Sequence, residues 1–319
     1  MSYVLPFEKP IVELEKRLSE LKNFSENQDL DVSSEVQKME RKISEMKEKI
    51  YRKLSAWEKV QVARHPLRPY TRDYLGLIAR SFTELHGDRL HRDDRAIIGG
   101  LAEIDGERFM VLGTQKGRDT KSNLECNFGC PFPEGYRKAL RLMRLADRFN
   151  LPVLALIDTA GAFPGLEGEE RHVAEAIAVN LRESFTFRVP MIAVVIGEGG
   201  SGGALGIGVV NRVLILEHAY YSVISPEGCA AILWKDRKYA DKAAEALKIT
   251  AQDLVKNGLA DEIIPEPLGG AHRDVAGTAD ALKQAVLRHL AELRQLTPAQ
   301  LIEDRYQKFR KMGPYGEEA

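Results

Sequence analysis

The sequence predicts an α/β protein built of repeated strand, loop and helix units behind an N-terminal helical hairpin, and three observations carry that prediction. A Glu- and Lys-rich, Gly-poor block over residues 8–65 repeats apolar residues at helical spacing; from about residue 96 short apolar runs alternate with amphipathic stretches; and the apolar run Met191 to Ile196 feeds directly into a cluster of glycines. A chain of 319 residues has room for one large α/β domain with an extension, or for two domains. With 44% hydrophobic and 29% charged residues it reads as globular rather than disordered. The 46 Lys and Arg nearly cancel the 47 Asp and Glu, leaving a formal charge of -1, so the global signature of a nucleic-acid binder is absent and any basic site must be local. No apolar stretch approaches the roughly 18 residues of a membrane span. Residues Met1 to Glu8 lack the basic and apolar regions of a signal peptide, so a cytoplasmic location is expected. Cys126, Cys130 and Cys229 are too few for a disulfide scaffold and lack zinc-site spacing, which predicts reduced, incidental thiols and no metal in this chain.

Taken in order, Pro10 suits a first helical turn, and Ile11, Leu14, Leu18 and Leu21 form one apolar seam. Val36, Met39, Ile43, Met46 and Ile50 form a second, with Ser34 and Gln37 as a capping box and residues 23–33 as the connection. The seams predict an antiparallel hairpin, either an arm that docks a partner or a helix pair covering the main core. A helix is expected around residues 71–85. Strands over 96–104 and 107–112 flank Asp105-Gly106, the turn pair that tolerates the positive φ of a type I′ hairpin. A loop with Lys116 and Arg118 follows, then an amphipathic helix over 134–149. The unit then repeats as strand 152–158, loop 159–168, a helix to about 185 and strand 190–197, which leads into the glycines and a short helix. Strands near 212–217 and 220–224 precede a helix opened by Ser225-Pro226-Glu227. Thr250 and Asp253 cap the next helix, Gly258 closes it, a last strand spans 261–264, and Thr297-Pro298 opens a terminal helix. Ligands in such folds gather near the strand ends.

The glycine cluster runs Gly197-Glu198-Gly199-Gly200-Ser201-Gly202-Gly203-Ala204-Leu205-Gly206-Ile207-Gly208. Backbone without Cβ atoms, at the start of a helix whose first N–H groups have no partner, suits an anion or oxyanion. Gly197-x-Gly199-x-x-Gly202, with Glu217 further on, matches a dinucleotide-binding fingerprint, although Gly206 and Gly208 weaken the helix that would carry the dipole. No Gly-Lys-Ser/Thr follows, which excludes a Walker A loop. Gly199-x-Ser201-x-Gly203 matches a nucleophile elbow, with Asp236, Asp241, Asp253 or Asp261 and His272 or His289 in hydrolase order, yet neither histidine has a triad context. The third reading is an oxyanion hole of peptide N–H groups serving an anion that the substrate itself forms, and the fourth is a turn needed only for tight packing. The surplus of glycines favours the oxyanion hole.

Several stretches together resemble the alpha subunits of bacterial acetyl-coenzyme A carboxylase carboxyltransferases. They are Ala63 to Pro66 with Arg68 to Thr71, Gln115 to Arg118, Pro133 to Met143, Gly197 to Leu205, Tyr221 to Cys229, and Ile264 to Arg273. The resemblance implies a crotonase/ClpP-like superhelix of ββα units over 66–319, with the hairpin over 1–65 as a partner-docking element. It implies transfer of a carboxyl group from carboxybiotin, held on a biotin carboxyl carrier protein and charged by a biotin carboxylase, to acetyl-coenzyme A, giving malonyl-coenzyme A for fatty acid synthesis. It also implies a zinc-containing beta subunit that completes the site in an alpha2beta2 core. On that resemblance the Gly202 and Gly203 N–H groups form the alpha-side oxyanion hole facing the biotin ureido oxygen, Gly161 or Ala162 supply further donors, and Phe163 packs on the fused biotin rings. Lys116, Arg118 and Lys121 either meet coenzyme A phosphates or a carboxylate, or form an ordinary exposed basic loop. The family commonly has His, Pro and Tyr where this chain has Thr114, Ala160 and Phe163, so no imidazole or phenol chemistry is expected there. The alternatives are another biotin-dependent acyl-coenzyme A carboxyltransferase subunit, a stand-alone crotonase-like thioester enzyme, and a non-catalytic scaffold.

Overall fold

The computed structural model describes residues 3–28 and 32–313. A short 3-10 turn at Pro6–Glu8 leads into α1 (Lys9–Gln28), which lies antiparallel to α2 (Ser33–Tyr51) through Glu15–Lys47 and Lys22–Glu40 ion pairs, each 2.7 Å. The predicted connection over 23–33 is therefore helical as far as Gln28. The Ser34/Gln37 capping box does not form, because α2 begins at Ser33 with Val32 at its N-cap. Leu14, Leu18, Met39, Met46 and Ile50 pack with Leu5, Ile11, Ile43, Tyr51 and Val62 in a cluster separate from the main core, so the seams close on each other rather than on the sheet. At the hairpin's base, the Tyr51 hydroxyl lies 2.8 Å from Glu8 Oε1 and 3.1 Å from the Gly269 carbonyl, and Arg273 Nη2 is 3.2 Å from Glu8 Oε1.

Next come α3 (Ala56–Ala63), capped by Ser55 and Glu58, and α4 (Thr71–Ile78). Val60 and Ala63 of α3 pack with Tyr220, Ala244 and Ile249 of the body, so the block 8–65 is not one packing unit. The helix expected to reach Leu85 stops at Ile78, and residues Ser81–Glu84 form β1, an edge strand. Phe82 alternates with polar neighbours there, and antiparallel pairing to β2 (Ile97–Ile104) overrides local helix preference. Asp105 and Gly106, with φ of 48° and 81°, turn β2 directly into β3 (Glu107–Thr114).

The 8-stranded sheet runs in the order β1-β2-β3-β4-β5-β6-β8 and is parallel from β3 onward. Short α5 (Thr120–Glu125), then α6 (Pro133–Arg148), joins β3 to β4 (Val153–Thr159); α7 (Leu166–Glu170) and α8 (Val173–Ser184) lead to β5 (Met191–Gly200). After α9 (Ser201–Gly208) come β6 (Arg212–Leu216), β7 (Tyr220–Ser222), α10 (Pro226–Leu233), α11 (Ala240–Leu247), α12 (Ala251–Lys256), β8 (Glu262–Ile264), α13 (Val275–Leu293) and α14 (Pro298–Arg310). Every position of β4 and β5 is buried, as expected of parallel strands covered on both faces: α6, α8 and α9 on one side, α4 and α13 on the other. The strand, loop and helix alternation predicted from the sequence is present. The capping box at Thr250 forms as expected, Thr297-Pro298 opens α14 as expected and adds a capping box with Gln300, and Ser225 caps α10.

Two features set the site. First, β5 is longer than predicted: Ile192 to Val195 pair with β6, while Glu198 to Gly200 pair with β7 on the same edge. Second, the β4–β5 register slips between Ile157 and Thr159, so that Ile157 faces Val195 but Thr159 faces Gly199.

Beneath this end of the sheet Arg68 and Glu266, both with fully buried side chains, are held in a fork at 2.9 and 2.5 Å, and Arg68 Nε donates to the Ile196 carbonyl at 2.7 Å. Glu266 also accepts the N–H groups of His218 and Ala271. Burial raises the Glu266 pKa, but Arg68, His218 and these hydrogen bonds outweigh it and hold the carboxyl at about 2. Its folded pKa is thus below the unfolded value of about 4.3, so its contribution to stability is present above that pH and is lost as pH falls toward about 2. Arg68→Met, which strands the Glu266 charge, is expected to cost about 3–5 kcal/mol in denaturant titration at pH 7. The deficit should shrink as the pH is taken below about 4; a deficit independent of pH contradicts this account.

Candidate functional site

The C-terminal ends of β3, β4 and β5 converge on one buried ionic network. Lys116, just past β3, places its Nζ 2.6 Å from Asp158 Oδ1 and 2.7 Å from Glu198 Oε2. Asp158 sits at the register slip of β4, where its N–H donates to Thr114 Oγ1 at 2.5 Å, while its Oδ1 accepts the Glu198 N–H at 2.9 Å. The slip releases a strand amide, and the Asp158 carboxylate takes it. Glu198 Oε1 is met by Arg64 Nε at 2.7 Å and the Tyr220 hydroxyl at 2.6 Å, and Arg64 continues to Glu227 at 2.5 Å. Burial disfavours the charged form of every member, yet the pairing wins: the Lys116 pKa is held above the ordinary lysine value by Asp158 and Glu198, and Glu198 is held at about 2 by Lys116 and Arg64. Lys116 and Glu198 are therefore both charged at neutral pH.

The exposed-loop expectation for Lys116 does not hold: its ammonium is buried and committed to the internal carboxylates of Asp158 and Glu198 rather than presented to a phosphate. Arg118 is exposed; its guanidinium lies 4.0 Å from the Tyr70 ring centroid, donates to the Pro66 carbonyl at 2.6 Å and pairs with Asp73. Lys121 is exposed on α5. Thr114, where no imidazole chemistry is expected, serves as the acceptor for the Asp158 amide.

The strand ends carry the backbone donors. β5 stops at Gly200, Ser201 turns the chain with φ 48°, and α9 begins. The N–H groups of Gly202 and Gly203 lie in the first turn of α9, where the helix itself offers them no acceptor four residues back. The loop after β4 lies against them: a Cβ added at Gly203 would stand 2.5 Å from Ala162 N and Gly161 C, and one at Gly200 2.2 Å from the Ala160 carbonyl oxygen. Glycine at 203 is thus required by close approach of two backbones. The Ala162 N–H also has no acceptor among the described residues. Gly161, expected as an alternative donor, is already engaged: its N–H donates to Thr159 Oγ1 at 3.1 Å. That leaves Ala162, Gly202 and Gly203 as the candidate donors of those expected.

Phe163 is half-buried, with its N–H on the Pro131 carbonyl and its ring 4.5 Å from that of Phe132, which lies between the Arg92 and Arg171 guanidinium groups. An apolar pocket of about 310 Å³ opens beside Ser201 and Gly202, walled by Leu205, Val223, Leu254 and Phe309.

The competing readings of the glycines fail on geometry. Glu198 to Gly200 are strand paired to β7, not a phosphate loop, and Glu217 accepts the Glu266 N–H. Ser201 does have an elbow conformation, but His272 is stacked on His65 at 3.8 Å and is pushed down to about 4 by burial and by His65, while His289 pairs with Glu262. Neither imidazole lines the pocket at Ser201. Asp158, Glu198, Arg64 and Tyr220 were not singled out from sequence. The available signal was a lone acid ending each of two otherwise apolar strands, Leu154-Ala155-Leu156-Ile157-Asp158 and Val194-Val195-Ile196-Gly197-Glu198.

Residues 4–313 match the family described as acetyl co-enzyme A carboxylase carboxyltransferase-like. The chain is 56% identical over 315 residues to the acetyl-coenzyme A carboxylase carboxyl transferase subunit alpha of Geobacter metallireducens, covering 99% of each chain. It is 54% identical over 312 residues to the protein of that name from Synechococcus elongatus, covering 98% of this chain and 95% of that one. Among solved structures, a Pseudomonas malonate decarboxylase hetero-tetramer in complex with coenzyme A matches with a TM-score of 0.59 at 16% identity, over 73% of this chain and 90% of that one. The transcarboxylase 12S core matches at 0.53 and 19% identity, over 66% of this chain and 41% of that one. These two likenesses show the fold alone, the crotonase-like type that was expected.

The glycine geometry separates two substitutions. Gly203→Ala forces a methyl into the Gly161–Ala162 backbone and is expected to cost about 1–3 kcal/mol. Gly202→Ala, whose Cβ finds Ile177 at 3.7 Å, is expected to be neutral or slightly stabilising. Thermal melts of the two variants decide it, and equal melting temperatures contradict the close approach.

Proposed function

The chain belongs to the acetyl-coenzyme A carboxylase carboxyltransferase family, and on that premise we propose that it is the alpha half of the transferase, supplying one amide-lined wall of a site that a beta subunit completes. The observation that carries the reading is the first turn of α9, with the Gly202 and Gly203 N–H groups, set so closely against the loop carrying the Ala162 N–H that a Cβ at Gly203 would stand 2.5 Å from Ala162 N. Carboxybiotin, held on a separate carrier protein, supplies the carboxyl group and, on releasing it, a ureido oxygen bearing negative charge. Backbone amides suit such an oxygen because their N–H protons do not titrate near neutral pH, they are fixed before the charge appears, and each is typically worth roughly 2.7–4 kcal/mol to a developing oxyanion. Gly202 and Gly203 add the positive end of α9, and Ala162 donates from across the cradle.

Phe163 and the apolar walls beside Ser201 and Gly202 offer dry surface to the hydrocarbon part of a reactant, which strengthens those hydrogen bonds. With Lys116 withdrawn, Arg118 and Lys121 are the loop cations left for a coenzyme A phosphate. The thioester enolate of acetyl-coenzyme A is assigned to donors of the beta subunit, which is why half a site suffices here. The alpha2beta2 core, the carrier protein and biotin carboxylase as partners, a cytoplasmic location, and the hairpin as a docking arm working through its outer faces belong to the same proposal.

The test is reconstitution. The chain co-purified with its zinc-containing beta partner is expected to carboxylate free biotin at the expense of malonyl-coenzyme A, with neither component active alone. Gly203→Val in the assembled complex, whose side chain would push the Gly161–Ala162 backbone away from the first turn of α9, should lower that rate at least tenfold. Thioester turnover by the purified chain without a partner supports the stand-alone reading instead, and an unchanged rate in the Gly203→Val complex removes the amides from the mechanism.

A further inference from the structure

Lys116 takes no part in the amide cradle, yet it is the shared contact of the two strand ends that carry it. Asp158 precedes Ala162 by four residues, and Glu198 precedes Gly202 by four. The carboxylate of each closes on the same ammonium, at 2.6 and 2.7 Å. The lysine stem is itself clamped: a Cβ added at Gly129, where φ is +74°, would stand 2.6 Å from Lys116 Cγ. The far side of Glu198 is fixed by Arg64 and Tyr220. We propose that Lys116 is a positioning residue for the transferase reaction: its ammonium sets the separation between the Ala162 amide on one strand end and the Gly202 and Gly203 amides on the other. The proposal rests on the functional reading above and assigns the residue that holds the oxyanion donors at their working distance.

The physical argument is like-charge repulsion in a buried place. Without the ammonium, Asp158 and Glu198 are two largely buried carboxylates drawn to one point with nothing between them. The strand ends must then part, or one acid must take up a proton. Either response moves the backbone that follows. A cradle closed to the point where a Cβ at Gly203 meets Ala162 N has no slack to absorb such a shift. Asp158 provides the means of a clean test, because its Oδ2 is buried with no hydrogen-bond partner. Asparagine there keeps an acceptor for the Glu198 N–H, and its amide replaces an oxygen that has no bond to lose.

In the reconstituted complex, Lys116→Met is expected to lower kcat at least 30-fold while the KM for each substrate stays within about twofold, since the donors are displaced and not removed. The second substitution in K116M/D158N removes the repulsion and should recover at least tenfold of that loss. In the isotope-labelled full chain, the amide signals of Ala162, Gly202 and Gly203 should shift in K116M and return toward wild type in the double variant. A K116M complex with kcat within twofold of wild type overturns the proposal, as does a double variant no faster than K116M. If K116M does not accumulate as a folded chain, the double variant decides alone: kcat within tenfold of wild type supports positioning, and failure of the double variant to fold overturns it. The amide signals are read without turnover, so a wild-type complex that fails to transfer carboxyl groups sinks the functional reading while the positional claim is judged separately.

Discussion

A single ammonium group between two buried carboxylates organises the working end of this molecule. Lys116, Asp158 and Glu198 come from three successive strands, and each is a group that burial alone would drive toward neutrality. Their mutual attraction in a low-dielectric setting offsets that cost only because the geometry is close and nearly every remaining valence is used: Thr114 takes the Asp158 amide, Asp158 takes the Glu198 amide, and Arg64 and Tyr220 take the outer oxygen of Glu198. Such a network adds little net stability compared with well-packed apolar groups. What it adds is a defined position for each strand end.

That position matters to the proposed chemistry, in which backbone amides meet the developing charge. Side-chain acids and bases can rotate to find a substrate, but a peptide N–H points where its strand or helix points it. The slip in the β4–β5 register, the extra length of β5 beyond β6 and the left-handed turn at Ser201 together bring the first turn of α9 against the loop after β4. The glycines are then a steric necessity at 200 and 203, where the neighbouring backbone leaves no room for a Cβ.

The hairpin and the body meet at a different buried cluster, where Glu8, Tyr51 and Arg273 join the arm to the segment after β8 and Arg68 with Glu266 ties that segment to β5. The hairpin is thus braced at its base by the same kind of device that braces the amide cradle, while its seams are closed by its own leucines and methionines. The separation explains why an apolar stripe along α1 and α2 could be read from the chain without revealing what it covered: helical periodicity reports that a face is buried, not against which surface.

Sequence alone determined what short-range physics can determine. Helical and extended periodicities placed most elements, Asp105-Gly106 specified its turn, Thr250 with Asp253 and Thr297 specified their helix starts, and the run of small residues after β5 marked exposed backbone, because each of these depends on residues within a few positions of one another. The family resemblance lay in the same local stretches. Tertiary structure decided the rest. Residues 81–84 became a strand because β2 offered an edge, Gly161 lost its donor to the Thr159 hydroxyl while Ala162 kept its own, and Lys116, which looks from its loop like an ordinary solvated cation, turned inward because residues 42 and 82 positions further along the chain had brought two carboxylates to meet it. Whether a charge is solvated or buried is a property of what surrounds it in space, and no pattern confined to neighbouring residues contains that information.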